Sequence, residues 1–105
     1  MILRFPSLTG FDWDEGNQSK NEIKHGVTAA ESEQAFFNEP LVLLDQAAHG
    51  SAEARYAILG STDHDRLLTI IYTVRGSRIR VISARPMSRK ERIYYHEHAQ
   101  DHPEV

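Results

Sequence analysis

Apolar residues recur along the first part of this chain at strand-like and then helix-like spacings. Phe11-Asp12-Trp13-Asp14 alternates apolar and acidic residues, which predicts a short half-buried strand. Asp14 can then cap a helix that runs to about His25, because its carboxylate can accept the free amides of a first helical turn. Gly26 stands where a left-handed residue commonly ends a helix. The pattern therefore predicts a strand followed by a first helix.

A capping box predicts a second helix. In Thr28-Ala29-Ala30-Glu31, the threonine hydroxyl can accept the Glu31 amide while the glutamate reaches back to the threonine. Phe36 and Phe37 form the apolar anchor of this helix. Asn38-Glu39-Pro40 ends it, because proline disfavours the helical conformation in the residue before it.

The rest of the chain predicts four strands and a last helix. The strands are expected at Leu41–Asp45, Arg55–Leu59, Leu67–Arg75 and Arg78–Arg85, with a polar loop at His49-Gly50-Ser51. Val74-Arg75-Gly76-Ser77 is the predicted hairpin turn between the last two strands. Ser88-Arg89-Lys90-Glu91 is a second capping box, and it opens a helix to about His98 with Ile93 and Tyr94 as apolar residues.

This order of elements predicts an α+β fold: a short strand, two helices, a four-stranded antiparallel sheet and a C-terminal helix. The length of 105 residues corresponds to one domain, residues 1–105. The chain has no cysteine, which excludes disulfides, zinc–thiolate sites and thiol nucleophiles and fits a reducing cytosol. Met1–Pro6 does not have the pattern of a signal peptide, and no apolar run reaches membrane-spanning length. We therefore expect a cytoplasmic protein without a membrane partner.

The net charge of −3 conceals an uneven distribution of charge along the chain. Residues 1–54 carry three basic and nine acidic side chains, whereas residues 55–95 carry nine basic side chains, eight of them arginine, and three acidic ones. This polarity is typical of an acidic scaffold with a cationic face. Arginine suits such a face because its planar guanidinium can bind a phosphate with two hydrogen bonds. A solvated, salt-bridged strand surface explains the same composition.

The strand at Arg78–Arg85 carries the candidate phosphate-binding residues. Period-two alternation places one set of side chains on each face of the sheet: Arg78, Arg80, Ile82 and Ala84 on one, and Ile79, Val81, Ser83 and Arg85 on the other. A bulge before Pro86 could redirect Arg85. Arg66 precedes the partner strand, so it is predicted to neighbour Arg85 across the hairpin. Protection of a sheet edge by charge explains one or two arginines, but less easily five within residues 66–85.

Lys24-His25-Gly26 closes the first predicted helix. Cations in a last helical turn interact favourably with the free carbonyl groups, and this explains Lys24 without any further role. His25 is a candidate general base or acid, because imidazole groups titrate near neutral pH. Both interpretations stay open at this point.

Histidines near the C-terminus suggest a metal site only weakly. His96, His98 and His102 cluster there, and His64 lies between two aspartates. His96 and His98 would face different sides of a helix, so their spacing does not build a closed site. The sequence favours a solvated tail, and no metal or other cofactor is expected.

Aromatic residues are assigned mainly to the core. Trp13 is predicted as a core anchor with its indole nitrogen satisfied, with base stacking as the alternative. Tyr72 belongs to the apolar face of its strand with Leu68, Ile70 and Val74. Tyr94 and Tyr95 point in different directions from the last helix, so one can pack while the other faces the sheet.

Three blocks of residues together resemble the BrnT toxin family in order and spacing. The first runs from Phe11-Asp12-Trp13-Asp14 through Asn17, Lys20, Asn21 and Lys24-His25-Gly26 to Phe36-Phe37-Asn38-Glu39-Pro40. The second comprises Arg55, Gly60, Arg66-Leu67-Leu68 and Ile71-Tyr72-Thr73. The third comprises Ile79-Arg80-Val81-Ile82-Ser83-Ala84-Arg85 and Arg89-Lys90-Glu91-Arg92-Ile93-Tyr94-Tyr95. The likeness covers about Phe11 to Glu97 and depends on the set, because no single block is decisive.

The resemblance implies a RelE-like fold and a ribonuclease toxin of a type II toxin–antitoxin pair. It also implies a BrnA-like antitoxin partner, whose ribbon-helix-helix part binds DNA, so that the complex represses its own operon. The matching polar positions are Lys24, His25, Arg66, Arg80, Arg85 and Glu91. Pro86 departs from the family, which often has a second basic residue there, and Met1–Gly10 is a longer lead-in than the family needs.

The hypothesis that follows is RNA cleavage without a metal, in which the 2′-hydroxyl of the RNA attacks the adjacent phosphate. Positioned cations would stabilise the charge on the phosphoryl oxygens. The expected catalytic residues are His25, Arg66 and Arg85; the RNA-binding residues are Lys24, Arg78, Arg80 and Arg89; and the supporting residues are Glu91 and Tyr95. Glu91 is expected to orient an arginine or to complete the capping box. The alternatives are a non-catalytic module that binds an antitoxin and a histidine-tail metal binder.

Overall fold

A five-stranded sheet forms the centre of the molecule, as described by a computed structural model over residues 10–44 and 54–100. The elements in chain order are β1 (Gly10–Phe11), α1 (Glu15–His25), α2 (Ala29–Phe37), β2 (Val42–Leu44), β3 (Tyr56–Ser61), β4 (Leu67–Arg75), β5 (Arg78–Pro86) and α3 (Arg89–Gln100). The strand order across the sheet is β1-β5-β4-β3-β2. The α+β class and all three helices predicted from the sequence are therefore confirmed.

The sheet differs from the prediction at one edge. β2 to β5 pair in antiparallel fashion, as predicted, but β1 adds a fifth strand parallel to β5, with Gly10 opposite Arg78 and Phe11 opposite Ile79. The prediction of a four-stranded, purely antiparallel sheet was wrong in this respect, because two residues of strand carry too little pattern to reveal a partner. The strand also ends at Phe11, before Trp13. The predictions for Met1–Pro6, Asp45, the His49–Ser51 loop and His102 lie outside the described residues.

The predicted caps are present at α1 and α2. The Asp14 carboxylate accepts the amides of Gly16 and Asn17, at 2.8 and 3.2 Å, and Gly26 ends α1 with a φ of 68°. Thr28 accepts the Glu31 amide at 3.1 Å, while the Glu31 carboxylate accepts the Thr28 amide. The two ends of α1 and the start of α2 are therefore fixed by local sequence.

A bulge in β5 changes which side chains share a face. Ile71 lies opposite Ser83 but Tyr72 lies opposite Val81, so that Ile82 is an extra residue on β5. Ala84 consequently packs in the same buried cluster as Val81, and the predicted strict alternation was wrong. The prediction that a bulge before Pro86 redirects Arg85 is confirmed, with the bulge at Ile82.

Because of this bulge, Arg80 and Arg85 lie on the same face of the sheet. Arg80 pairs with Thr73 and Arg85 with Thr69, and these two threonines are four residues apart on β4. That face is opposite to the one covered by α1 and α2.

Two buried asparagines of α1 bind the bulged part of β5. The Asn17 amide donates to the Val81 carbonyl at 3.0 Å, and the Asn21 side-chain oxygen accepts the Ala84 amide at 3.0 Å. They stand one helical turn apart, on the face of α1 that packs on the sheet. The two amide side chains bind backbone groups on either side of Ile82. In this way they fix the bulge and the face of the sheet on which Arg85 lies.

The core has one part on each face of the sheet. α1 and α2 cover the larger cluster, which includes Phe36, Leu68, Ile70 and Tyr72, and Trp13 packs against it with its indole donating to Glu33 at 2.7 Å. The core roles predicted for Trp13 and Tyr72 are confirmed. α3 covers a smaller cluster of Val42, Leu59, Met87 and Tyr95. Over residues 10–44 and 54–100, no helix has the length and apolarity that a membrane crossing requires.

Candidate active site

A bidentate ion pair joins Arg85 to Glu91 on the face of the sheet that α3 covers. Two parallel hydrogen bonds connect them, at 2.8 Å from Nη1 to Oε1 and at 2.9 Å from Nη2 to Oε2. The Arg85 side chain is 36% exposed and the Glu91 side chain 23%. A bidentate pair of this kind holds the guanidinium plane in one orientation. Arg85 Nη1 also donates to the Pro86 carbonyl at 3.3 Å, and the side chain as a whole stays partly accessible.

Glu91 also closes the capping box of α3. Its Oε1 accepts the Ser88 amide at 2.8 Å, and the Ser88 hydroxyl accepts the Glu91 amide at 3.2 Å. The same Oε1 accepts the Thr69 hydroxyl at 2.8 Å. The carboxylate therefore does both things that the sequence suggested for it, since it caps a helix and orients an arginine.

These contacts lower the pKa of Glu91 from 4.5 to about 2. The hydrogen bonds from Arg85 are the largest cause, burial opposes them, and the Ser88 amide and the Thr69 hydroxyl add to the lowering. The Glu91 carboxylate is thus charged at neutral pH.

This shift predicts a pH dependence of stability. A carboxyl group whose pKa is lower in the folded chain stabilises the fold above its unfolded pKa and loses that contribution as the pH falls. We therefore expect Glu91 to stabilise the fold above about pH 4.5 and to lose this effect between pH 4.5 and about 2. The measurement is the free energy of unfolding by urea at several pH values, for the wild type and for Glu91→Gln. The other carboxyl groups cancel in the difference, so a difference that stays constant down to pH 2.5 would contradict the assignment.

Arg80 lies further along the same face, near the parallel edge of the sheet. Its Nη1 is 3.1 Å from the Asp14 carboxylate and 3.5 Å from that of Asp12, and its side chain is 16% exposed. The hydrogen bond from Arg80 is the main cause of a lowered Asp14 pKa, which burial opposes. Arg80 therefore ties the start of α1 to β5. Arg78 is exposed beside the hairpin turn.

Arg66 binds the helix layer. Its Nη1 donates to the Gly26 carbonyl at 2.8 Å and to both Glu31 oxygens at 3.1 Å, and its Nη2 donates to the His25 carbonyl at 3.4 Å. These bonds join the last turn of α1 to the first turn of α2. Arg66 and Arg85 thus stand at the same end of the hairpin, but Arg66 binds the layer of α1 and α2 whereas Arg85 binds α3 on the other face of the sheet. Arg85 pairs with Thr69, so the prediction that Arg66 neighbours Arg85 was wrong.

His25 is half-buried at the last position of α1. Asn17, Asn21 and His25 are spaced by four residues, and the first two bind Val81 and Ala84 of β5. His25 therefore continues that row by one turn, toward the end of β5 that carries Arg85. The structure brings the His25 backbone to Arg66. Lys24 beside it is exposed.

The remaining predicted residues lie on α3. Arg89 is its exposed first residue, while Tyr95 is buried and donates from its hydroxyl to the Pro40 carbonyl at 2.7 Å. Tyr95 therefore anchors α3 on the sheet, whereas Tyr94 is 38% exposed and stacks on His98. A surface pocket of about 390 Å³ lies beside Glu91 and is lined mainly by Leu44, Leu59, Ile93 and Tyr94.

The histidines do not form a cluster of metal ligands in the part of the chain that is described. His96 is exposed and the His98 ring is within hydrogen-bond distance of the Tyr94 carbonyl, at 2.9 Å. Among residues 10–44 and 54–100, no three histidine, aspartate or glutamate side chains are placed to hold one ion.

Sequence reasoning missed three polar residues that shape this site. Asn17 and Asn21 were named only as residues that match the family. Side-chain amides spaced by four residues on the sheet-facing side of a helix indicate buried hydrogen bonds, and this signal was available. Thr69 was overlooked because a β-branched residue is ordinary in a strand. A polar residue alternating with the core positions Leu68 and Ile70 was the available signal.

Comparison with known proteins shows the family of this chain. Residues 13–91 match the family model described as the ribonuclease toxin BrnT of a type II toxin–antitoxin system. The fold resembles the crystal structure of the Brucella abortus ribonuclease toxin BrnT, with a TM-score of 0.57 and 24% sequence identity over 77% of this chain and 99% of that one. A comparison with curated proteins finds no match. Since the family model spans Trp13 to Glu91, which is most of the chain, the chain belongs to the BrnT family of ribonuclease toxins of type II toxin–antitoxin systems.

Proposed function

We propose that this chain cleaves messenger RNA without a metal and that the cleavage blocks translation and arrests growth in the cytoplasm. The observation that carries the proposal is the Arg85 guanidinium, which Glu91 holds bidentately while about a third of the side chain stays exposed. Such a group can meet a phosphate without first losing rotational freedom. The fold that presents it is RelE-like in this proposal, with helices packed on an antiparallel core of four strands.

The proposed reaction uses the nucleophile of the RNA itself. The 2′-oxygen attacks the adjacent phosphorus while its proton passes to a base, and the bond to the 5′-oxygen breaks as that oxygen takes up a proton. The products are a 2′,3′-cyclic phosphate and a 5′-hydroxyl. In our proposal, Arg85 and Arg66 stabilise the charge on the phosphoryl oxygens and His25 transfers a proton.

The other cations are proposed to hold the RNA. Arg80 lies on the same face of the sheet as Arg85. Three further cations are exposed: Lys24 in the last turn of α1, Arg78 at the start of β5 and Arg89 at the start of α3. Positively charged side chains on a protein surface bind the phosphate backbone of a nucleic acid regardless of its base sequence. Glu91 and Tyr95 support the site, the first by orienting Arg85 and the second by anchoring α3.

An antitoxin partner follows from the type II family, and we propose that it is BrnA-like, with a ribbon-helix-helix part. The chain would then meet operator DNA only through the antitoxin. Neutralisation would occur when the antitoxin covers the Arg85 face.

One observation favours a second candidate function. Arg66, Arg80 and Arg85 are each already paired with a carboxylate of the chain. A non-catalytic module that binds an antitoxin and represses with it would tolerate this pairing, whereas a ribonuclease must let RNA phosphate share or replace it. The two candidates differ in whether the chain cuts RNA when alone.

The expected result is cleavage that survives removal of metals. Purified protein should cut a single-stranded RNA of mixed sequence equally well with and without EDTA, because guanidinium groups supply the positive charge. The fragments should carry 2′,3′-cyclic phosphate ends, detected by mass spectrometry. A matched RNA with 2′-deoxyribose at the cleaved position is the control and should stay intact. Loss of cleavage in EDTA would refute the metal-free mechanism, and absence of any cleavage would favour the non-catalytic module.

A further inference from the structure

Thr69 is a buried polar side chain that lies directly opposite Arg85 in the sheet. It is 1% exposed and pairs with Arg85 across β4 and β5, while its neighbours Leu68 and Ile70 belong to the core on the other face. Its hydroxyl donates to Glu91 Oε1 at 2.8 Å. Within residues 10–44 and 54–100, the side chain that this hydroxyl binds is therefore the one that orients Arg85.

Glu91 Oε1 accepts from three sides at once. Thr69 Oγ1, Arg85 Nη1 and the Ser88 amide each donate to it at 2.8 Å. The Ser88 amide fixes the oxygen relative to α3, and the Thr69 hydroxyl fixes it relative to β4. Without the hydroxyl, the carboxylate keeps its bonds to the Ser88 amide of its own helix and to Arg85, and it loses its bond to β4.

We propose that Thr69 is a positioning residue for cleavage, which acts through Glu91 to set the plane of the Arg85 guanidinium. The proposal rests on the proposed function, since it assumes that Arg85 meets the phosphate in the transition state. It predicts an effect on kcat rather than on KM, because a misdirected guanidinium still attracts RNA but no longer matches the charge that develops on the phosphoryl oxygens.

β4 offers a matched control for this residue. Thr73 is also a threonine, is 2% exposed, and lies on the same face four residues later. Its hydroxyl donates to a backbone carbonyl, that of Ala54, at 2.7 Å. Thr69→Val and Thr73→Val therefore each remove one buried hydrogen bond without changing the shape of the side chain, and they differ in what the lost bond held.

The test compares single-turnover cleavage of a single-stranded RNA by both valine variants and by Thr69→Ser, at a temperature where all are folded. We expect Thr69→Val to lower kcat by about 10- to 100-fold with little change in KM. Thr73→Val should keep the wild-type kcat, although its Tm should fall by about as much as the Tm of Thr69→Val. Thr69→Ser keeps the donor and should restore most of the rate. Equal rates for the two valine variants would overturn the proposal.

A second measurement does not depend on cleavage. The NMR signal of the Arg85 Nε–H group reports whether the guanidinium is held, and it should broaden or shift in Thr69→Val but not in Thr73→Val. An unchanged signal in Thr69→Val would overturn the positioning role even if the protein cut no RNA. Failure of the proposed function would show differently, as full cleavage by Arg85→Ala.

Discussion

Arg85→Ala is expected to reduce RNA cleavage by about 100- to 1,000-fold, the usual effect of removing one preorganised group that stabilises transition-state charge. Arg85 stands where β5 ends, its guanidinium is fixed by two bonds to Glu91, and more than a third of its side chain is accessible. The effect should appear in kcat. In cells, overproduction of the variant should no longer arrest growth.

Arg85→Lys separates charge from geometry. Lysine keeps the positive charge but cannot make two parallel bonds to a phosphate or to Glu91. We therefore expect this variant to bind RNA nearly as tightly as the wild type while most of the cleavage rate is lost. Rates that follow charge alone would mean that Arg85 attracts RNA without acting on the phosphate.

Arg92→Ala is the matched control for Arg85→Ala. Arg92 is also exposed near the start of α3, and its guanidinium donates to the Met87 carbonyl at 3.0 Å. Its removal changes the net charge by the same amount, so any general loss of electrostatic attraction to RNA is equal in the two variants. Arg85→Ala protein that is folded and cuts RNA like Arg92→Ala would place the phosphate elsewhere, with Arg66 as the next candidate.

Local chemistry explains why so much of the fold was predictable. Asp14, Thr28 and Gly26 each act within four residues of themselves, so the capping patterns predicted the helix ends correctly. The β4–β5 hairpin and the core roles of Trp13 and Tyr72 followed from periodicity in the same way. Family resemblance supplied the toxin function, which composition alone would have opposed.

The features that the sequence did not predict depend on contacts between distant residues. The bulge at Ile82 is fixed by Asn17 and Asn21, which are more than 60 residues away in the chain. The pairing of β1 with β5 likewise joins the first strand of the described chain to its last strand. Period-two alternation assumes a regular strand, and it therefore assigned Ala84 and Arg85 to the wrong faces. For the same reason, period-two alternation could not show that Arg80 and Arg85 lie on the same face of the sheet.

Gly60→Ala is expected to destabilise the protein by about 3 kcal/mol, at the upper end of the usual cost of overpacking a core. A Cβ added at Gly60 would lie 2.5 Å from the carbonyl oxygen of Ala35 and 3.3 Å from its Cβ. Gly60 is buried in β3, where it pairs with Leu68, and α2 crosses directly above it. The contact is with helix backbone, so no side-chain rotation can relieve it and α2 itself must move.

The measurement is the midpoint of thermal unfolding, which should fall by about 15 °C for a domain of this size. Gly16→Ala is the control, because a Cβ there meets only the Asp14 carboxylate oxygen, at 3.2 Å, which belongs to a side chain and not to the backbone. We expect that variant to unfold within a few degrees of the wild type. An unchanged midpoint for Gly60→Ala would mean that α2 is not packed as closely on β3 as the structure has it.

A second substitution tests whether backbone contact is the cause. Ala35→Gly removes the Cβ at 3.3 Å but leaves the carbonyl oxygen at 2.5 Å, so it should not rescue Gly60→Ala, and it adds the cost of a glycine within a helix. Displacement of α2 would also carry Glu31 away from Arg66 and loosen the last turn of α1, where His25 lies. Gly60→Ala protein that remains folded at low temperature should therefore cleave RNA more slowly than Gly16→Ala protein, because the close packing of α2 on β3 holds one half of the proposed site in place.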